Sequence, residues 1–150
     1  MGKSIFDPGV IKELMDRVSE LKPGDKAKWG KMNPTEMLSH CNIAIQKTIG
    51  WDRELRKATF KQTMVKWLAL YILPTFPKNV KTSPAFETYG QVLSLEFENQ
   101  IRVYKELLLK LQHLDKPLRA PHPYFGPLTH HEWGQVIWKH LDHHLKQFGH

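Results

Sequence analysis

Residues 139 to 149, KHLDHHLKQFG, place His140, His143 and His144 within five positions near the end of the chain. Imidazole is the commonest side-chain ligand for transition metals and the one that titrates near neutrality, so what matters first is which of the three can converge on one ion. The apolar residues around them, Trp133, Val136, Ile137, Leu141, Leu145 and Phe148, recur at threes and fours. At about 100° per residue, His140 and His144 fall inside that stripe and His143 lies at its flank. A spacing of four sets two imidazoles one turn apart on one face, the separation at which both can bind a single metal.

Two ligands are too few, because a catalytic metal usually takes three from the protein and keeps a position open for water or substrate. His40 supplies a third candidate: it follows Met37 by three and precedes Ala44 by four, so it shares their inward face. His40, His140 and His144 thus form a three-histidine constellation drawn from two helices. Asp142 and Gln147 fall outward or to the flank by the same geometry and, with His143, are candidates for a supporting shell. His122, in APHPYFGPLT, is a turn residue or faces the mouth of the site; His113, His130, His131 and His150 read as surface. On the residues alone a second reading stays open, in which the inward histidines are core groups that hydrogen-bond neighbouring polar atoms.

The elements that must position these side chains follow from periodicity and punctuation. The first helix is expected to begin at Asp7 as N-cap with Pro8 behind it, run through Val10, Ile11, Leu14, Met15, Val18 and Leu21, and stop at Pro23-Gly24. The second opens at Asn33-Pro34-Thr35-Glu36, a capping box, and continues towards Gly50. A basic and apolar helix is expected around residues 55 to 73, followed by PTFPKNVKTSPAF, which reads as a surface loop because it holds three prolines in thirteen residues. A third long helix runs from Tyr89 or Gln91 to Leu114, and Thr129-His130-His131-Glu132 is a capping box that opens the last. No segment alternates as a strand. The expectation is all-α: one four-helix-bundle domain spanning residues 1–150, with a long insertion between its second and third main helices.

With 150 residues, 41% hydrophobic and 25% charged, the chain is long enough for a core without disulfides, and its one cysteine, Cys41, fits a reducing compartment. MGKSIFDPGV lacks the apolar centre of a signal peptide, so a cytoplasmic protein is expected. The net charge of +7 is concentrated between Arg53 and Lys81, where Arg53, Arg56, Lys57, Lys61, Lys66, Lys78 and Lys81 face only Glu54. Within that stretch MVKWLALYIL is about half the length of a membrane span, so no crossing is expected. It reads as a buried or dimer-forming helix with a solvated basic edge, which makes a homodimer an expected partner. Trp51, Phe60 and Trp67 interleave with the cations as on a nucleic-acid surface, but no nucleic-acid fold accompanies them and no such partner is expected.

KHLDHHLKQ resembles the last-helix motif of the DinB-like superfamily, H-x-x-H-H-x-x-Q, and MLSHC, residues 37 to 41, resembles that superfamily's second-helix histidine. The stretches from His122 to Gly149 and from Trp29 to Cys41 resemble the C-terminal and N-terminal signatures of an uncharacterised branch of it. The resemblance implies a four-helix bundle that holds a divalent metal, nickel, zinc or iron, through His40, His140 and His144. It further implies relatives that transfer or isomerise with low-molecular-weight thiols, and others described as metal-dependent hydrolases. The chain has Leu145-Lys146-Gln147 where better-known members often have Arg-Gly-Gln, a departure that lies outside the three ligands. The expected function is a metal-dependent hydrolase or thiol-dependent transferase acting on a small molecule, and the alternative is a non-enzymatic helical binding module.

Overall fold

The computed structural model describes residues 2–150 and is predominantly helical. Its helices are α1 (Val10–Glu20), α2 (Pro34–Ile49), α3 (Phe60–Trp67), α4 (Phe97–Gln112) and α5 (His130–Gln147). α4 packs on α1 and α2, and α5 packs on the same two, so both late helices lie against the early pair. Leu14, Val18, Leu38, Cys41, Tyr104, Leu108, Leu141 and Leu145 meet in one apolar core. None of the described helices is long and apolar enough to cross a membrane.

Both capping boxes read from the sequence are formed. Asn33 Oδ1 accepts from the Glu36 N–H at 2.9 Å while Glu36 accepts from the Asn33 N–H at 2.9 Å, and Thr129 and Glu132 repeat the exchange at 3.2 and 2.8 Å. Each satisfies two of the amide donors that a helix start leaves without partners. A third box, Thr59 with Gln62, opens α3.

Other boundaries differ from expectation, each for a visible reason. Asp7 does not cap α1: its carboxylate accepts from the Ser4 N–H at 2.7 Å in a preceding turn, and Gly9, at φ +80°, resets the chain so that the helix starts at Val10. α4 starts at Phe97 rather than near Tyr89, because the chain before it is tied to α2. Thr88 Oγ1 donates to Glu36 O at 2.7 Å, the Gly90 N–H donates to Glu36 Oε1 at 2.7 Å, and Gly90 sits at φ +71°. Leu93, assigned to the helix face by its spacing, is instead exposed in the loop. Pro121–His122 pairs antiparallel with Gly126–Pro127 in a two-residue ladder that periodicity could not have revealed.

The segment between α2 and α4 departs most. The apolar run does not make a buried helix: no residue of α3 is buried, and Phe60 and Trp67 are 81% and 58% exposed. α3 ends in a π-helical turn, Leu68–Ile72, of which only Ala69 and Leu70 are buried. A helix this short is marginal by itself, and two contacts with α5 secure it. Lys66 pairs with Glu132 at 3.0 Å, and the buried Lys139 ammonium donates to Ala69 O and Leu73 O, both at 2.7 Å, and to Leu70 O at 3.4 Å. These carbonyls belong to the C-terminal end of the helical segment, where backbone acceptors lack helical partners and the dipole is negative.

Candidate metal centre

α5 brings His140 and His144 to one face and α2 brings His40 opposite them. One ring nitrogen from each lies within 4.8 Å of the other two, a grouping that could hold a metal ion. His40 Nε2 is 3.0 Å from His140 Nε2, and the ring centroids of His40 and His144 are 4.9 Å apart.

The neighbours of these rings fix where their lone pairs point. His40 Nδ1 lies 2.7 Å from Phe86 O, and since a carbonyl can only accept, Nδ1 carries the hydrogen and Nε2 is left with a free pair. His144 Nδ1 lies 2.8 Å from Gln147 Oε1, whose amide nitrogen donates to Trp29 O at 2.8 Å. That orientation makes Oε1 the acceptor, so His144 also presents an unprotonated Nε2. A ligating histidine typically donates its other N–H to a carbonyl in this way, which sets both tautomer and ring angle. The donor set and its support therefore suit a divalent ion.

Burial keeps the cluster neutral. Desolvation pulls His144 down to about 3, lowers His40 against the opposing pull of the Phe86 carbonyl and Glu87, and lowers His140 further with help from His144 and His40. Neutral imidazole is the form that binds metal, so protons compete weakly here.

The cluster opens onto a cavity of about 1250 Å³. Its walls come from α2, α3 and α5, from the loop between Leu73 and Phe86, and from the Pro121–Pro127 hairpin. His122 belongs to that wall and to a turn at once: its Nδ1 accepts from the Tyr124 N–H at 3.1 Å, and its ring stacks on Phe125 with centroids 4.1 Å apart. Burial pulls it down to about 4. His143 lines the cavity beside the cluster, edge-on to Trp29 at 5.3 Å, and burial lowers its pKa too.

Of the two flanking residues expected to support the cluster, Gln147 does so and Asp142 does not. Asp142 and Gln147 are both buried, because α5 is covered around much of its circumference. Asp142 is turned from the cluster and bridges Arg17 of α1 at 2.9 Å and Lys146 at 2.8 Å, whereas Gln147 supports His144 directly. His130 and His150, read as surface, are half-buried: His130 stacks on Phe6 at 4.3 Å and His150 pairs with Asp25 at 2.9 Å. Cys41, one residue from His40, is fully buried, and burial pushes its thiol pKa up, so it is no nucleophile.

Three contributors escaped the sequence reading. Phe86 and Trp29 act through backbone oxygens, which leave no side-chain signal. Gly30, at φ +78°, lets the chain pass Gln147; a Cβ there would come within 2.8 Å of its amide nitrogen. Trp29 and Gly30 are the first two residues of the WGKMNPTEMLSHC stretch, which marks the place but not the role of either.

The model of one family, described as a protein of unknown function (DUF1569), matches residues 10–150. No curated protein and no solved structure gives a significant match. Since the family match takes in every helix and all three clustered histidines, the chain belongs to the DUF1569 family.

Proposed function

We propose that the chain is a metal-dependent enzyme of DinB-like type that holds one divalent ion through His40, His140 and His144 and acts on a small molecule in the adjoining cavity. The observation that carries the reading is three neutral imidazoles from two helices, two of them with Nδ1 already bonded to an acceptor, facing an open cavity. A merely structural metal would be closed in by a fourth protein ligand. The closed ring of helix contacts, α1 to α4 to α2 to α5 and back to α1, supports the four-helix-bundle architecture that the resemblance implies.

A divalent ion bound only by neutral ligands keeps its full charge and supplies Lewis acidity, lowering the pKa of a water or thiol and polarising a substrate oxygen. The protein's part is to orient the ligands, exclude bulk water and seat the substrate. Among the described lining residues the one carboxylate is Glu54, on an exposed segment, while Glu87, which acts on His40, lies outside the lining and accepts from the Thr88 and Tyr89 N–H groups through Oε1. That supports chemistry in which a low-molecular-weight thiol is the nucleophile over carboxylate-assisted hydrolysis. The test is turnover of an electrophile such as 1-chloro-2,4-dinitrobenzene with a panel of such thiols, using protein loaded with nickel, zinc or iron. Metal-dependent turnover that is lost in His140→Ala supports thiol transfer. Equal rates with and without metal refute it.

The 3.0 Å contact between His40 and His140 favours one other reading, a binding module with hydrogen-bonded core histidines. It requires that metal neither binds tightly nor raises stability.

A further inference from the structure

The cavity is lined by both apolar and cationic side chains. Its inner wall, the buried part of that lining, is formed by Phe125, Val136 and Ile137 with half-buried Phe76, and Val65 and Leu68 continue the apolar lining where it is exposed. Cations line it as well: Lys31, Lys47, Arg53, Arg56 and Lys57, against the single carboxylate of Glu54. Lys47 is engaged, donating to Ala85 O at 2.7 Å with its ammonium over the Phe86 ring. Arg53, Arg56 and Lys57 form no salt bridge with any described residue, and all three are exposed on the segment between α2 and α3, with the Arg53 guanidinium 6.0 Å from the centre of the Trp51 ring. That segment is held at its start by Trp51, which packs against the core and donates from Nε1 to Arg53 O in a local turn at 2.9 Å, and at its end by the Thr59 capping box.

We infer that the cavity's ligand is an amphiphilic anion, with an apolar body along the inner wall and a carboxylate, phosphate or sulfate group at Arg53, Arg56 and Lys57. The inference deepens the proposed function and rests on it for the reactive end, which the histidine cluster would meet. An apolar wall rewards burial of a hydrocarbon body in proportion to its area, and three cations on one lining segment that lack a carboxylate partner attract an anionic head group over a neutral one. A cationic amphiphile would meet a rim of its own sign, which disfavours its entry.

The test uses the full chain stripped of metal and two probes with the same tail and opposite heads, dodecanoate and dodecyltrimethylammonium, both below their micelle-forming concentrations. Calorimetry should show one saturable site that prefers dodecanoate by about tenfold or more, and Arg53→Glu with Arg56→Glu should abolish that preference. In an amide and indole correlation spectrum, dodecanoate should move the Trp133 indole signal, on the cavity wall, and leave that of Trp67, on the exposed side of α3. Equal affinity for the two probes, a preference that survives charge reversal, or a shift at Trp67 alone would overturn the inference. Metal affinity, measured separately by chelator competition, keeps the two claims apart. Tight metal binding without anion preference defeats only this inference; anion preference without metal binding defeats only the metal centre.

Discussion

Replacing Lys139 by Met keeps an unbranched apolar stem, one atom shorter, and removes the charged end, which isolates what the buried ammonium does for the cavity wall. Two of its hydrogen bonds, to Ala69 O and Leu73 O, are 2.7 Å long, and the third, to Leu70 O, is weak at 3.4 Å. Hydrogen bonds to a charged group contribute about 1.5–3 kcal/mol each, and a buried carbonyl left unpaired costs about 1–3 kcal/mol. Opposing this, burial disfavours the ammonium and lowers its pKa, so the substitution also relieves a desolvation cost. The difference leaves a net loss of about 2–4 kcal/mol for two good bonds. In urea, where a domain of this size loses about 1–3 kcal/mol per molar, the midpoint should fall by about 1–2 M at unchanged slope. Limited proteolysis should cut first between Phe60 and Leu73, because α3 is otherwise secured to α5 by the Lys66 pair with Glu132. A midpoint within about 0.2 M of the parent would refute the claim that Lys139 anchors this wall.

Three further outcomes follow from the geometry. His122 is neutral in the fold, at about 4 against an unfolded value of about 6.5, so falling pH protonates the unfolded chain first. Its contribution is therefore intact above pH 6.5 and is lost on acidification, by about 2 kcal/mol between pH 7 and 5. In chelator-treated protein, His122→Gln should flatten the pH dependence of unfolding by that amount, and an unchanged slope would contradict the burial argument. Gln147→Leu removes the acceptor for His144 Nδ1 and should weaken metal affinity about 10- to 100-fold in a chelator competition; Gly30→Ala, which displaces the same side chain, should act in the same direction. Gly134→Ala should lower the thermal midpoint despite the better helix propensity of alanine. Its Cβ would collide with Ser4 and come within 2.7 Å of the Phe6 ring, where the Ile5 N–H donates to Gly134 O at 2.9 Å.

Helical phase was enough to separate His140 and His144 from His143 and to add His40, because each lies on a long helix whose apolar stripe is clear. It put Asp142 and Gln147 outward or at the flank, whereas both are buried because α5 is packed on more than one side: Asp142 pairs with Arg17, and Gln147 takes the supporting place beside His144. Phase also says nothing about whether an apolar face finds a partner. MVKWLALYIL has the composition of a buried helix, yet its Met64, Trp67, Tyr71 and Ile72 are exposed. The late start of α4 was hidden because Leu93 continues the spacing, while the bonds from Thr88 and Gly90 to Glu36 join segments far apart in sequence. The cavity itself was only hinted at, since loops after Leu73 and around His122 wall it and periodicity carries no information about loops.

The most direct test of the account is a crystal of protein purified without an immobilised-metal column, measured above and below the absorption edges of nickel, zinc and iron. One anomalous peak is expected, bounded by His40, His140 and His144 and within bonding distance of one nitrogen of each (about 2.0–2.1 Å for zinc), with a further coordination position facing the cavity. The peak should disappear in His144→Ala. No peak after soaking in all three metals, with His40 and His140 still hydrogen-bonded to each other, would contradict the account.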